Sequence, residues 1–242
     1  MKSENDVTAL ILAGGKGSRL QSVVADRQKA VAKINGISFI LLLLEQLERS
    51  GINKAILCSG HLSETVHSAV AEYKGNVRIE YSEEHEPLGT GGAVRNALDK
   101  INTANCLIMN GDSFVKIILA DFIKWFTFNR YSAGMVVASV DDTSRYGRVE
   151  MNETGLVLGF TEKNPSASDS GKINGGIYLF RTNLLNKIPS APKMSSLEKD
   201  FFPCLISERL LYGWESSGMF IDIGTPESYK RAQSLLKGDI LK

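Results

Sequence analysis

The residues best suited to chemistry in this chain are Gly14, Gly15 and Gly17, with Lys16 and Arg19 among them, in the stretch ALILAGGKGSRL over residues 9–20. Glycines carry no Cβ, so they allow a tight turn and close backbone approach to a ligand. Lysine and arginine in such a turn suit a polyphosphate. Two familiar phosphate loops fail on spacing. A dinucleotide fingerprint needs a third glycine at position 20, where Leu20 stands, and a P-loop needs Gly-Lys-Ser/Thr after a longer loop. Two acids extend the set. Asp112 ends an apolar run in Asn110-Gly111-Asp112, and Asp222 interrupts Phe220-Ile221-Asp222-Ile223. By residue type Asp112 suits a turn as well as a ligand. Strand alternation points Asp222 either to solvent or to the interior, where an unpaired carboxylate is costly. Two carboxylates at strand ends could share a Mg²⁺ completed by phosphate oxygens and water. Spacing does not say whether they meet.

Those residues must be positioned by regular elements, and the pattern indicates an α/β fold. An apolar run over 7–12 predicts a buried strand. Residues 38–50 predict a helix closed by Gly51 in a left-handed cap. Strands over 54–58, 78–82 and 106–109 then alternate with helices over 63–73, with Ser63 as N-cap, and over 93–100. Such alternation predicts right-handed βαβ units and a mainly parallel sheet, with ligands beyond the carboxyl ends of strands. The glycine loop and Asp112 both sit at such ends. The second half differs. A strand over 135–140 precedes a hairpin, 148–151 with 156–161, across Asn-Glu-Thr-Gly. Residues 165–172 predict a mobile loop, 177–180 a strand, 195–207 a helix and 219–223 a late strand. Thr225-Pro226-Glu227 opens a final helix with cap, proline and first-turn acid.

Composition excludes several classes. The 242 residues are 43% hydrophobic and 23% charged, with a formal net charge of +1. That leaves no basic excess for nucleic acid or an anionic membrane surface. The apolar run 39–44 is cut short of a membrane span by Glu45, Glu48 and Arg49. The N-terminal MKSENDV carries acids where a signal peptide needs an apolar core. Cys58, Cys106 and Cys204 are isolated among apolar residues and read as reduced core thiols. These features predict a cytoplasmic protein. His61, His67 and His85 show no metal-binding helical spacing and receive no catalytic role.

The ordered set AGGKGSRL, Lys29, EPLGTGG, NGDSF, RYGRVE, FTEK, INGGIYLF and FIDIGTPESY resembles the sugar-phosphate nucleotidyltransferases, over roughly residues 7–233. Among these it is most similar to the D-glycero-α-D-manno-heptose 1-phosphate guanylyltransferases. The resemblance implies a Rossmann-like, GT-A-like fold: a mixed, mainly parallel sheet flanked by helices, with a small β-hairpin acceptor region. It makes 1–242 a single domain, about 1–130 binding nucleotide and about 131–242 the sugar phosphate. The implied reaction transfers GMP from GTP to the sugar 1-phosphate, giving a GDP-sugar for surface glycan biosynthesis, and pyrophosphate. Mannose 1-phosphate or another hexose 1-phosphate is the alternative acceptor. A nucleotide-sugar sensor without turnover and a glycosyltransferase of similar fold are alternatives of other classes. The sensor reading expects a lost metal acid or a lost Lys29, and the glycosyltransferase reading expects an Asp-x-Asp motif; neither is seen.

Roles follow from the same resemblance. Residues 14–19, including Ser18 and Arg19, cradle the triphosphate, Lys29 meets its phosphates, and Asp112 with Asp222 hold Mg²⁺. Arg19, Lys29, Asp112 and Asp222 form the catalytic set. Leu12, Ala13, Glu84, Pro87, Gly89, Thr90 and Gly111 join the nucleotide site. Gly147, Glu162, Lys163, Asn174 and Gly175 fall where relatives bind the sugar phosphate. Oligomeric state is open, a homodimer being one option. The family usually carries Pro-Lys where this chain has Gln28-Lys29, an apolar residue near Lys33, and often threonine at Ser18. The nucleophile, a sugar phosphate, is already ionised, so the chemistry needs alignment and charge neutralisation at the α-phosphorus rather than a strong base. Glu84, an acceptor only, suits the paired N1–H and amino donors of guanine.

Lys163 and Arg19 serve different substrates in this scheme. Lys163→Ala should chiefly raise the KM for the sugar phosphate, and Arg19→Ala the KM for the triphosphate. Steady-state kinetics with each substrate varied in turn checks this, and equal damage to both constants by both variants would contradict it.

Overall fold

The computed structural model describes residues 6–15, 20, 26–161, 169–189 and 194–236. Strand β1 (Val7–Leu12) is the apolar run, buried from Val7 to Ile11. A short hairpin, β2 (Lys33–Ile34) and β3 (Ile37–Ser38), leads into helix α1 (Phe39–Arg49). Gly51 at φ 74° turns the chain after α1, the left-handed conformation expected there. Next come β4 (Lys54–Ser59), α2 (Ser63–Val70), β5 (Arg78–Glu83), α3 (Gly89–Asn96) and β6 (Asn105–Asn110). Strand β1 pairs in parallel with β4 and β6, and β4 pairs in parallel with β5. The first half is therefore the parallel α/β unit that its alternation predicts.

The second half turns the sheet antiparallel. It contains β7 (Ser113–Val115), α4 (Leu119–Phe128), β8 (Ala133–Val140), β9 (Arg148–Met151), β10 (Val157–Thr161) and β11 (Gly171–Arg181). Helix α5 (Phe202–Ser207), β12 (Leu211–Ser216), β13 (Phe220–Asp222) and α6 (Pro226–Leu235) follow. Strand β11 is the joint: it runs antiparallel to β6 over 177–181 and antiparallel to β8. Among the described residues the resulting mixed sheet has nine strands, ordered β10-β9-β11-β6-β1-β4-β5, with β8 on β11 and β12 on β8. Alternate residues of β1 enter two cores. Ala9 and Ile11 pack with α1, α2, α4 and α6, whereas Leu10 packs with α3 and α5.

Several elements depart from the sequence reading. Helix α2 has Leu62 at its N-cap, at φ 58° and with no side-chain cap, so Ser63 is already helical. Helix α3 begins at Gly89 rather than near Ala93, and its predicted last turn is a separate 3-10 turn, Leu98–Lys100. The helix expected over 195–207 starts later, as a π turn, Leu197–Phe201, running into α5. Gly171 and Lys172 belong to β11 rather than to a loop, while 165–168 of that predicted loop lie outside the described residues. Cys58 and Cys106 are buried, but Cys204 is only half-buried, its thiol 3.5 Å from the Glu208 carboxylate on the outer face of α5. It is not a core thiol. Helix α4 and strand β12 go beyond the reading, although Leu119, Phe122, Ile123 and Phe126 carry helical spacing.

Among the described residues no helix is long and apolar enough to cross a membrane. The end of the chain that matters for the site is secured by α6. Thr225 caps it, accepting from Ser228 N–H while the Ser228 hydroxyl accepts from Thr225 N–H. Such a reciprocal cap is worth about 0.5–2 kcal/mol.

Candidate active site

The ends of β1, β5 and β6 open onto a cleft of about 550 Å³. Leu12, Gly14, Gly15, Lys29, Glu84, Pro87, Gly89, Thr90, Gly111 and Asp112 all line it, joined by Gln28, Ala30, Ala93, Asn110 and Met194. Parallel pairing explains this gathering: β1, β4, β5 and β6 all end on the same side of the sheet. Ala13 lies outside the lining, buried, with its N–H on the Cys58 carbonyl. Lys16, Gly17, Ser18 and Arg19 lie outside the described residues.

Glu84 follows β5 directly, its N–H on the Ser59 carbonyl at 2.8 Å. One carboxylate oxygen accepts from Leu88 N–H at 3.0 Å. The other lies over Gly14, 2.7 Å from where a Cβ would stand, so a side chain there would push this carboxylate aside. Burial pushes the Glu84 carboxyl above its ordinary pKa, an effect opposed by the Leu88 hydrogen bond. A helix N-terminus is often an anion site, yet that of α3 is already engaged. The Ser195 carbonyl accepts from both Gly91 and Gly92 N–H, at 2.8 and 3.2 Å. Gly89, at φ 76°, would set a Cβ 2.4 Å from that same oxygen. Two N–H groups at the start of α3 are thus already occupied by a carbonyl.

A second cavity, about 300 Å³, shares Asn110 and Asp112 with the first. Gly147, Asn174 and Asp222 line it, with Ser113, Arg145, Tyr146, Phe160, Glu198, Phe220 and Gly224. Gly175 stands in β11 outside either lining, and Glu162 and Lys163 lie outside the described residues. Asn174 is held at both ends: its amide donates to Tyr178 hydroxyl at 2.7 Å, and its carbonyl accepts from Gly176 N–H at 2.9 Å.

The two acids line the same cavity. Strand β13 pairs antiparallel with β7, setting Asp222 opposite Ser113, and Ile223 N–H donates to the Asp112 carbonyl at 2.9 Å. Each carboxylate has its own cationic or hydrogen-bonding partners. Lys29 Nζ contacts Asp112 Oδ2 directly. Asp222 Oδ1 accepts from Gly224 N–H at 2.8 Å and Ser228 hydroxyl at 2.9 Å, with Arg145 Nη2 at 3.4 Å. Asp222 Oδ2 accepts from Tyr146 hydroxyl, and Arg145 also reaches Thr225 at 2.9 Å. Burial, then this bond to Asp222, pushes the Tyr146 hydroxyl well above its ordinary pKa, so it stays a donor. Arg145, Tyr146 and Glu198 went unremarked in the sequence; RYGRVE carried the first two, and nothing in the local pattern marks Glu198.

The donor set fits a hard divalent cation incompletely by itself. Among the described residues no group of three or more His, Cys, Asp or Glu side chains is placed to hold a metal. Two oxygen ligands leave most of a Mg²⁺ shell for substrate phosphates and water, the usual arrangement for this ion. Asp112→Asn and Asp222→Asn retain the acceptor oxygens that bind Lys29, Gly224 and Ser228, so both should fold. Each should raise the barrier to turnover by at least about 2–4 kcal/mol, roughly 30- to 10³-fold in rate. Rates measured across a Mg²⁺ titration check this; near-normal rates at limiting Mg²⁺ would remove that acid from the metal site.

Known proteins resemble this chain in both sequence and fold. The chain is 34% identical over 95% of its length to a D-glycero-alpha-D-manno-heptose 1-phosphate guanylyltransferase of Aneurinibacillus thermoaerophilus, covering 98% of that protein. It is 29% identical to a mannose-1-phosphate guanylyltransferase of Mycobacterium tuberculosis, of which it spans 66%. The crystal structure of HddC from Yersinia pseudotuberculosis superposes with a TM-score of 0.82 at 30% identity, covering 94% of this chain and 98% of that one. The same protein has been solved in complex with GMP-PN, with a TM-score of 0.81 to this chain. A family model for nucleotidyl transferases matches residues 8–238, and with the cleft at the strand ends this establishes that the chain belongs to the nucleotidyl transferase family.

Proposed function

We propose that this protein transfers GMP from GTP to D-glycero-α-D-manno-heptose 1-phosphate. A phosphate oxygen of the sugar attacks the α-phosphorus, a new P–O bond forms, and the bond to the β-phosphate breaks. Pyrophosphate leaves with that electron pair, and a GDP-sugar remains. The observation that carries the reading is the shared wall of the two cavities, where Asp112 stands with Lys29 on one side and Asp222 on the other. An attacking group and a leaving group need opposite approaches to one phosphorus, and two cavities meeting at one charged wall supply them.

Each residue has a task in this scheme. Lys29 neutralises phosphate charge once the incoming triphosphate competes for its contact with Asp112. Asp112 and Asp222 would hold Mg²⁺, which when bound supplies further neutralisation of the transferring phosphoryl group. Tyr146 and Ser228 orient the Asp222 carboxylate, and Asn174, fixed at both ends, presents polar atoms to the acceptor cavity. Lys163 and Glu162 are assigned to the sugar phosphate, and Arg19 to the triphosphate. The heptose guanylyltransferase relative supports the acceptor, and the GMP-PN complex of HddC supports a guanine nucleotide. Mannose 1-phosphate is the second reading, on the likeness to the mycobacterial enzyme. The same proposal places the reaction in the cytoplasm, ahead of lipopolysaccharide or capsule assembly.

A matrix of four NTPs against several sugar 1-phosphates, with Mg²⁺ present, tests this by pyrophosphate release. GTP with the heptose phosphate should give the highest kcat/KM; no product in any combination would defeat the enzyme reading.

Glu84 is the proposed reader of the base. Guanine offers two adjacent donors to a carboxylate, uracil offers no such pair, and a bidentate contact is worth roughly 1–3 kcal/mol by analogy with base readout in DNA. Glu84→Gln should therefore lower the GTP-to-UTP ratio of kcat/KM by about 5- to 100-fold. Because only the ionised carboxylate accepts both donors, that ratio should fall as pH drops through the raised Glu84 pKa. A ratio unmoved by substitution would assign base reading to other groups.

A further inference from the structure

Gln28, the residue before Lys29, is buried at 4% exposure, and its backbone and side-chain amide are all bonded. Its side-chain Nε2 donates to the Gly15 carbonyl at 2.6 Å. Its Oε1 accepts from Ala30 N–H at 2.7 Å, capping the 3-10 turn Lys29–Val31. Its backbone N–H donates to Thr65 Oγ1 at 3.1 Å, and its carbonyl accepts from Val31 N–H at 3.0 Å. Thr65 in turn donates its hydroxyl to the Leu62 carbonyl at 2.7 Å, tying the set to the start of α2. A buried amide placed between two backbone segments is costly unless both ends are matched, and here both are.

We infer that Gln28 is a positioning residue that sets the glycine loop against the Lys29–Asp112 pair, and so governs nucleotide affinity rather than acceptor affinity. Gly15 and Lys29 line the same cleft, and both must meet one triphosphate. The Gln28 side chain joins Gly15 to the turn carrying Lys29. A methylene less, as in asparagine, cannot span both partners; a carboxylate in place of the amide loses the donor to Gly15. Gln28 does not line the second cavity, so the acceptor should be nearly indifferent to it. The inference rests on the nucleotidyl-transfer reading for the identity of the ligand.

The test measures GTP binding directly by calorimetry, without acceptor, together with the KM for the sugar phosphate and the melting temperature. Gln28→Met, of similar shape but without hydrogen bonds, should raise the Kd for GTP roughly tenfold. Gln28→Asn should behave alike, and Thr65→Val should shift Kd in the same direction by less. The KM for the sugar phosphate should stay within twofold throughout. A Kd for GTP within twofold of wild type in Gln28→Met, or equal losses for both substrates, would overturn the inference while leaving the transfer reading in place. Should Gln28→Met not fold, unchanged GTP affinity in Gln28→Asn and Thr65→Val would overturn it equally. A wild-type protein that binds no nucleoside triphosphate would defeat both.

Discussion

The site depends on the three-residue pairing of β7 with β13. Val115, Phe114 and Ser113 face Phe220, Ile221 and Asp222 in antiparallel register, and the Ile223 N–H on the Asp112 carbonyl extends the ladder. This short ribbon brings one acid beside another, which electrostatics alone opposes. Two like unit charges near a protein surface repel by at most roughly 4 kcal/mol even at about 4 Å. Phe114, Val115, Ile221 and Ile223 are buried, and each such side chain contributes about 1.5–3 kcal/mol on leaving water. Hydrophobic burial therefore outweighs the repulsion. Lys29 and Arg145 offset the rest locally, one against each carboxylate.

That compensation has a chemical consequence. Lys29 neutralises Asp112, while Asp222 is held by Tyr146, Ser228, Gly224 N–H and Arg145. The acids are thus oriented before any ligand arrives, at 14% side-chain exposure for Asp222. A carboxylate held like Asp222 needs little reorganisation to meet a ligand, the condition under which electrostatic stabilisation is largest, whereas in the proposed scheme Asp112 must first release Lys29. Like Asp222, Asn174 is fixed, between Tyr178 and Gly176.

The cleft is also shaped by what it refuses. Ser195 covers the start of α3, so two N–H groups that would otherwise attract a phosphate are spent on a carbonyl. Thr90, the second residue of α3, donates to Glu198, and accepts from Leu197 N–H. Glu198 lines the second cavity while Thr90 lines the first, so this contact stitches the two walls together. Glycine at 89 and 91 is needed for Ser195 to approach that closely. The EPLGTGG run is therefore shaped by packing as much as by any ligand.

The sequence by itself determined the parallel half, the hairpin and the α6 cap, because each follows from local rules. Alternation of apolar runs sets β1, β4 and β6, glycine allows the turn after α1, and Thr-Pro-Glu starts a helix wherever it lies. Ordered motifs also named the family. Local rules failed where tertiary contacts decide. Gly89 starts α3 because the Ser195 carbonyl satisfies its free N–H groups, a partner more than a hundred residues away in the chain. Gly171 and Lys172 joined β11 because β8 stood ready to pair with them. Asp222 could have faced solvent on its alternation alone; pairing with β7 brought it to the cavity that Asp112 also lines. Gln28 looked like a departure from pattern, and only the fold placed Gly15 within reach of its amide. In each case the deciding partner is distant in sequence, and only the closed sheet brings it close enough to form the bond.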